Sequence, residues 1–475
     1  MSSYTISTSL NRNQVFILQK SELENRFDPF YYVPELVELE KKVLARKPRK
    51  LRDYVKYIAS GATPKTTESD KYYVEKENGI PFLRVQNLSS TGVLEFEDCK
   101  YINEVTHNGM LKRSQVSAGD LLVKITGVGR MAVASVVPEG FEGNINQHVC
   151  VIKTGSKEIS ETLAAFLNSD IGEKLASRRS TGGTRPALDY PALLSIPILN
   201  DKRVLEITKK VVEQKKQNET EAEKLLASID DYLLKELGIT LAEPPENTLE
   251  NRIFSLTKSE LSGGRLDPFY NSQEFTSFFN ALKQCVYPLK TFKSLTNISS
   301  GAIVHTSKYL DTGIPLIRIQ NVLSSGVDFE DVKYVSEDIF KKEISAKINS
   351  GELLFGMTGT IGRVAIAQEN LPNCLLNQRI AKVKILGGNN NIYIQSILNS
   401  IIGIKQFLRI GTGGIQINIG ISDIENLKIP FPPLDKQNEI AHHITAIRQQ
   451  AQHLKDKTKE ALAQASREIE RILLR

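Results

Sequence analysis

Two long stretches of the chain place apolar residues at intervals of three and four, and between them lie short apolar runs broken by Gly, Asn and Ser. After Asp201-Lys202, the residues Val204, Ile207, Val211, Leu225, Ile229 and Tyr232 keep that spacing, with Gln214, Asn218 and Glu221 on the same stripe in its middle. After Asp435-Lys436, the residues Ile440, Ile444, Ile447, Ala451, Leu454, Thr458, Ala461, Ala465, Ile469 and Ile472 keep it, for about nine turns at 3.6 residues per turn. A stripe so long and narrow predicts a coiled-coil seam rather than one face of a globular core. Asp201 and Asp435 are expected to cap the helix starts, since a carboxylate accepts from unpaired backbone N–H groups. The alternative is that each helix folds onto its own domain, but a period held this long is hard to satisfy there. Paired antiparallel, the two helices would form a rod with a module at each end.

The shorter runs predict strands. Gly119-Asp120-Leu121-Leu122 leads into a strand within 116–125, and Gly351-Glu352-Leu353-Leu354 into one within 348–357. Residues 133–137 and 365–367 read as their partners, and 149–152 and 381–385 as further strands. One helix is expected around 160–177 and another around 392–408. Leu194-Ser195-Ile196-Pro197 and Leu427-Lys428-Ile429-Pro430 each read as a short strand stopped by proline.

These elements occur twice because the chain repeats itself. Lys20-Ser21-Glu22-Leu23 returns as Lys258-Ser259-Glu260-Leu261, and Arg26-Phe27-Asp28-Pro29-Phe30-Tyr31 as Arg265-Leu266-Asp267-Pro268-Phe269-Tyr270. Ile80-Pro81-Phe82-Leu83-Arg84-Val85-Gln86-Asn87 returns as Ile314-Pro315-Leu316-Ile317-Arg318-Ile319-Gln320-Asn321, and Thr181-Gly182-Gly183 as Thr412-Gly413-Gly414. The expected fold class is therefore α+β: two duplicated mixed α/β domains joined by two long helices that form an antiparallel coiled coil. The expected bounds are 1–200 and 239–432 for the domains and 201–238 and 433–475 for the helices, with Gly238, Pro244 and Pro245 breaking the chain before the second copy.

Composition narrows the classes. The 475 residues are 40% hydrophobic and 24% charged, with a net charge of +6, ordinary for a soluble globular protein and permissive of an acidic partner. Lys41, Lys42, Arg46, Lys47, Arg49, Lys50, Arg52 and Lys56 cluster, which by itself reads as a solvated helix face. Cys99, Cys150, Cys285 and Cys374 are scattered without metal-ligand spacing, so reduced thiols and a cytoplasmic location are expected. No run approaches the ~20 apolar residues of a membrane span.

Catalytic chemistry is missing from the pattern. Asp28-Pro29-Phe30-Tyr31 approaches the Asp/Asn-Pro-Pro-Tyr/Phe motif of amino-methyltransferases, but Phe30 replaces the second proline, and Phe269 does so in the repeat. Thr126-Gly127-Val128-Gly129-Arg130 is too short for a cofactor loop and lies between strands, and there is no phosphate loop for ATP. His442 and His443 are adjacent on a helix and cannot both face one metal. No cofactor and no metal site are expected.

The doubled motifs resemble the specificity subunit of type I restriction–modification systems. The residues that carry the resemblance are the two Arg-x-Asp-Pro-Phe-Tyr starts, the Gly119-Asp120-Leu121-Leu122 turn, Thr358-Gly359-Thr360-Ile361-Gly362, and Ile429-Pro430-Phe431-Pro432-Pro433-Leu434 followed by Gln437 and Ile440. Each motif is short; their doubled order, over almost the whole chain, is more specific. The resemblance implies two target-recognition domains, each reading half of a bipartite target in double-stranded DNA, with a coiled coil that fixes the unread spacer. It implies no catalytic activity, and partners that are modification (methyltransferase) subunits and, in the larger complex, restriction (translocase and nuclease) subunits. Two rivals are a self-sufficient restriction or methylation enzyme and a coiled-coil scaffold that does not touch DNA.

Two modules sharing a scaffold need not share a target. Positions identical in both suit structural or phosphate roles, and divergent loop residues suit base reading. Arg84, Gln86, Arg318 and Gln320 stay open on this logic, because identical residues would read identical bases. The divergent candidates are Lys65, Lys71, Tyr72, Tyr73, Thr184 and Arg185 in the first copy and His305, Lys308, Tyr309, Gln416 and Asn418 in the second, with Arg130 and Arg363 closing the glycine-bearing turns. Lys, Arg, Gln and Asn supply donors that base edges and phosphates accept; the bland alternative for each is a solvated loop.

Overall fold

The computed structural model describes residues 10–475 apart from 25, 97, 244, 245, 247, 258–264, 359–362 and 412–417. Lys258-Ser259-Glu260-Leu261, Pro244 and Pro245, Thr412-Gly413-Gly414, Gln416 and most of the 358–362 turn therefore lie outside the described residues. The chain divides into two compact units, Met1–Glu219 with Lys455–Arg475, and 220–454.

In the first unit, Leu121–Lys124 is buried at every position and sits inside an antiparallel sheet in the order Tyr57–Ser60, Val149–Lys153, Leu121–Lys124, Ala134–Val136. A second sheet runs Lys100–Ile102, Ile80–Leu83, Glu142–Ile145, Gln115–Ser117, with its two middle strands parallel. The second unit repeats the first sheet as Thr296–Ser300, Ile380–Ile385, Leu353–Gly356, Val364–Ile366. It keeps the parallel pair as Ile314–Ile317 beside Leu375–Leu376. The other strands read from the apolar runs are present, but Leu194-Ser195-Ile196-Pro197 is not one: Leu194 ends the helix Tyr190–Leu194, Ser195 turns, and the strand begins at Pro197 and runs to Ile198. In the second copy the strand Lys428–Pro430 does end at its proline. Pro197 and Pro430 both pair in two-stranded sheets, where a missing N–H is tolerated at an edge.

The helix expected near 160–177 is two, Lys157–Asn168 and Asp170–Arg179, and that near 392–408 is also two, Asn391–Asn399 and Ile401–Ile410. A serine breaks each. Ser169 and Ser400 adopt extended backbone and cap the second helix, their hydroxyls accepting from Gly172 N at 3.0 Å and Ile402 N at 3.2 Å. The corner is tight enough to demand glycine. A Cβ on Gly172 would meet Phe166 O at 2.1 Å, and one on Gly403 would meet Leu398 O at 2.2 Å.

The Asp-Pro-Phe-Tyr motif builds the wall beside this corner. Asp28 accepts from Tyr31 N at 3.1 Å and pairs with Arg26 at 2.8 Å, and Arg26 reaches Arg179 O at 2.9 Å. Asp267 accepts from Phe269 N at 3.0 Å and pairs with Arg265 at 2.8 Å. Arg178 lies 4.0 Å from the centre of the Tyr31 ring and Arg409 4.1 Å from that of Tyr270. The motif serves packing, by a cation stacked on an aromatic face.

The long helices are Lys202–Leu237 and Leu434–Leu474. Asp201 caps the first, accepting from Arg203 N at 2.9 Å. The second starts one residue before Asp435, which sits in its first turn rather than at its cap; Pro432 and Pro433 already halt the preceding strand. In the first unit Asn218 donates to Thr458 Oγ1 at 3.0 Å, and Val204 and Leu205 share a core with Ile469 and Leu473. In the second unit Lys436 pairs with Glu236 at 2.6 Å, and the His443 ring stacks on Tyr232 with centroids 4.0 Å apart. Ile229, Leu233 and Leu237 share a core there with Ile440, Ile444 and Ile447. Within each unit the helices thus run antiparallel as a pair. The ten stripe positions of the C-terminal helix are all buried or half-buried, whereas Gln214 and Glu221 of the central helix turn outward. The alternative of pairing or folding back is not exclusive: the helix ends also complete each unit's core, since Val204 and Ile229 meet globular residues as well as the partner helix.

Among the described residues no helix is long and apolar enough to cross a membrane, and no group of three or more His, Cys, Asp or Glu is placed to hold a metal ion. The four cysteines are free, and burial pushes the Cys150 thiol up to about 12.

Candidate nucleic-acid interface

Several sequence candidates turn their donors inward. Arg84 Nη2 donates to Asp98 O at 2.6 Å and to its carboxylate at 3.0 Å, while Gln86 Nε2 donates to the same carboxylate at 3.1 Å. The second unit repeats this clamp: Arg318 Nη2 donates to Asp331 O at 2.8 Å and Gln320 Nε2 to Asp331 Oδ2 at 2.9 Å. The clamp ties the loop that ends at Asp98 or Asp331 to the turn after the Ile-Pro strand. Arg84→Ala and Arg318→Ala are expected to lower the melting temperature of their units and to leave unchanged the salt dependence of any duplex binding by the chain. A phosphate contact would instead reduce that log-salt slope by about 1; a paired melt and salt titration reads the difference.

Arg130 is likewise engaged. Its guanidinium donates to Asn168 O at 2.8 Å and Asp170 Oδ1 at 3.0 Å, at the serine corner. Asp170 also accepts from Ser466 Oγ at 2.6 Å, and these two partners hold its carboxyl below the usual range. Tyr73 packs edge-on against Phe82 with centroids 6.1 Å apart. Lys65 and Lys71 are exposed beside Glu68, at 3.9 and 3.6 Å, and Lys71 stands 5.2 Å from the centre of the Tyr72 ring. His305 turns back on Ser307 at 2.8 Å, and Lys308 and Arg363 are exposed. The basic residues from Lys41 to Lys56 are all exposed, but only Lys41 and Lys42 lie on the helix Pro34–Ala45, so the helix-face expectation holds for those two alone.

Arg185 in the first unit and Tyr309 and Asn418 in the second lie around residues that pattern reading missed, while Thr184 is exposed beside Arg185 in the sequence. Asn146-Gln147-His148 and Asn377-Gln378-Arg379 occupy the same short connection between the parallel-paired strand and the central strand of the first sheet. Asn146 and Asn377 are buried, and each side chain accepts from the backbone N–H two residues on, at 3.1 Å to His148 and 3.4 Å to Arg379. The Ser-Gly-Ala step of each copy presses on this connection, since a Cβ on Gly61 would meet Ile145 O at 1.7 Å and one on Gly301 would meet Asn377 O at 2.3 Å. That contact brings the 62–65 and 302–309 loops alongside.

In the first unit a relay results. Thr63 Oγ1 donates to Gln147 Oε1; Gln147 Nε2 lies 3.4 Å from His148 Nε2, and Arg185 Nη2 lies 3.1 Å from the same nitrogen. Two donors converge on Nε2, so it carries the lone pair, and the proton is on Nδ1. Burial first, and then the Arg185 charge, hold the imidazole below its ordinary value and thus neutral. Underneath, Lys124 is buried and donates to Val128 O at 2.6 Å, and burial holds its ammonium below the usual range. In the second unit Ile303 stands in place of Thr63, Arg379 in place of His148 and Gly356 in place of Lys124. Gln378, Arg379, Thr358 and Asn418 line a cleft of about 500 Å³, and Asn377 Nδ2 donates to the hydroxyl of Tyr309 at 3.5 Å.

The class that this geometry defines is a duplicated α+β protein in which one backbone frame, used twice, presents two different sets of side-chain donors. Residues 289–464 match the family model described as type I restriction modification DNA specificity domain, so the second half of the chain carries that domain, and the resemblance to specificity subunits is borne out. The chain is similar to the type I restriction enzyme EcoBI specificity subunit of Escherichia coli, 21% identical over 175 residues that make 36% of each protein. It is also similar to the MjaVIII specificity subunit of Methanocaldococcus jannaschii, 24% identical over 187 residues, which are 38% of this chain and 44% of that one. The matched segments thus span less than half the length of these relatives. A solved chain from work on complex assembly and conformational transition of the type I R-M system aligns over 90% of this chain and 95% of its own, at 16% identity and a TM-score of 0.46.

Proposed function

We propose that this chain is the sequence-specific DNA-binding specificity subunit of a type I restriction–modification complex. Recognition domains at 1–200 and 239–432 each read one half of a bipartite, asymmetric duplex target, and the helices at 201–238 and 433–475 set the unread spacer. The chain catalyses nothing itself; it holds modification subunits and, in the larger complex, restriction subunits, in the cytoplasm. The observation that supports this most is the doubled Asn-Gln connection. Its frame is shared, its reading-type side chains differ, and its second copy lies inside the segment matched as a DNA specificity domain. Unequal side chains on equal frames are what an asymmetric target requires, because in the major groove each base pair shows its own pattern of donors and acceptors.

A salt titration tests it. Duplex binding by the full chain, alone and beside its modification subunits, is expected to weaken with a log-salt slope near −0.9Z for Z neutralised phosphates. No duplex binding at any salt, even with partners present, would leave the scaffold reading standing. Consumption of methyl donor by the purified chain alone would point to the enzyme instead.

A further inference from the structure

We infer that the guanidinium at the Asn-Gln connection is the base-reading group of each unit: Arg185, held by His148, in the first, and Arg379 in the second, each taking the O6/N7 edge of a guanine. The inference rests on the DNA-reading function proposed above and names the residues that carry it.

The two units reach the same chemistry by different routes. In the first, the residue after Asn-Gln is a neutral histidine, whose Nε2 accepts from Arg185 at 3.1 Å. This anchors one Nη of an otherwise exposed arginine on the 181–187 loop, whose ends are tied by the backbone pair Thr181 and Ala187. The relay from Thr63 through Gln147 sets the imidazole in turn. Four further N–H donors of the guanidinium remain for a ligand: the one on Nε, the two on Nη1 and the second on Nη2, which keeps one bidentate edge usable. Ordering the fork before contact reduces the entropy lost on binding. In the second unit the cation stands on the connection itself. Arg379 is exposed and has no ion pair or side-chain hydrogen bond among the described residues; neither has Gln378 beside it. Its backbone is fixed, accepting from Met357 N at 3.0 Å and donating to Asn377 Oδ1.

This contrasts with Arg84, Arg318 and Arg130, whose guanidiniums are engaged within their own units. An exposed guanidinium with N–H donors left open, on a loop pinned to the connection in the first unit and at the start of the strand Ile380–Ile385 in the second, matches the acceptor pair of guanine, and bidentate contact there is the commonest specific arginine contact. Because the two forks start from different elements, they meet different base-pair positions. The halves of the target then differ although both contain guanine.

The test uses the full chain and a pool of DNA duplexes with randomised bases, with the bound fraction sequenced. Wild type is expected to enrich a two-part sequence with a guanine in each half. Arg379→Gln is expected to move one position in one half from guanine toward adenine, which glutamine contacts at N6/N7, and to leave the other half unchanged; Arg185→Gln does the reverse. The guanine preference at the affected position falls by about 5- to 150-fold. Arg379→Lys keeps the log-salt slope but loses part of that preference. His148→Ala weakens discrimination at the Arg185 position alone, which a merely structural histidine would not do. Variants that enrich the same bases as wild type, with affinity lowered uniformly, would assign both arginines to phosphates and overturn the inference. A wild-type chain that binds the pool but enriches no sequence would instead remove the function on which it rests.

Discussion

Inserting four residues into each long helix, at points facing one another near Asn218 and Thr458, is expected to lengthen the unread spacer of the DNA target by about two base pairs. Four residues add ~6 Å of helix at 1.5 Å per residue, and the duplex advances ~3.4 Å per base pair. The insertion also rotates the remainder of each helix by about 40°, because four residues exceed one 3.6-residue turn only slightly. The seam that runs through Ala451, Thr458 and Ala465 therefore still meets its partner. Two residues inserted in the same places would rotate the seam by about 200° and expose it, so that variant should lose folding rather than change its spacer. Seven residues, nearly two full turns, should restore the seam almost in phase and add about three base pairs. Sequencing of duplexes bound by each variant, or of methylated sites where the modification subunits are present, measures the spacer directly. A four-residue variant that folds and keeps the wild-type spacer would rule out the helices as the ruler.

Glu40→Gln is expected to destabilise the first unit by about 3–5 kcal/mol, the range found when one partner of a buried ion pair is removed. The Glu40 carboxylate receives both the Arg178 and the Arg179 guanidinium, and all three side chains are nearly buried, between 7% and 11% exposed. Glutamine keeps the shape and removes the charge, leaving two desolvated cations facing a neutral amide. The second unit shows why the loss is specific. Phe279 stands in the place of Glu40 and Ile410 in that of Arg179; the remaining Arg409 stacks between Tyr270 and Phe279, at 4.1 and 4.4 Å from the ring centres. One buried cation can be held by two aromatic faces, but two side by side need a carboxylate. Chemical denaturation with hydrogen exchange resolved by residue should place the loss in Met1–Glu219 with Lys455–Arg475 and leave the second unit's protection unchanged. An equal loss in both units would refute this.

The repeat, the strand runs and the stripe of the C-terminal helix were legible because each is a local pattern, visible within a few neighbouring residues. The serine corners were not, since Asn-Ser inside an amphipathic run is compatible with continued helix until the next glycine, Gly172 or Gly403, meets a carbonyl from the turn before. Among the candidate residues, Arg84, Gln86, Arg318 and Gln320 could not be sorted from sequence. Their acceptors, Asp98 and Asp331, stand more than ten residues away on irregular loops. Arg130 showed nothing of its attachment to a helix corner some forty residues further on. His148 and Arg379 were passed over because they sit at the mouths of apolar strands and read as strand ends. One signal was available: aligning the two copies shows Asn-Gln shared and the next residue changed.

The amino-acid order by itself determined that there are two copies, that each is a short-stranded α+β unit, and that two long helices accompany them. All of these come from periodicity and duplication, which depend only on neighbours along the chain. Which polar side chains are left free to meet a ligand was decided by the tertiary structure alone. A donor is available only when no acceptor from a distant segment has already taken it, and whether one has depends on how loops tens of residues apart are brought within about 3 Å of one another.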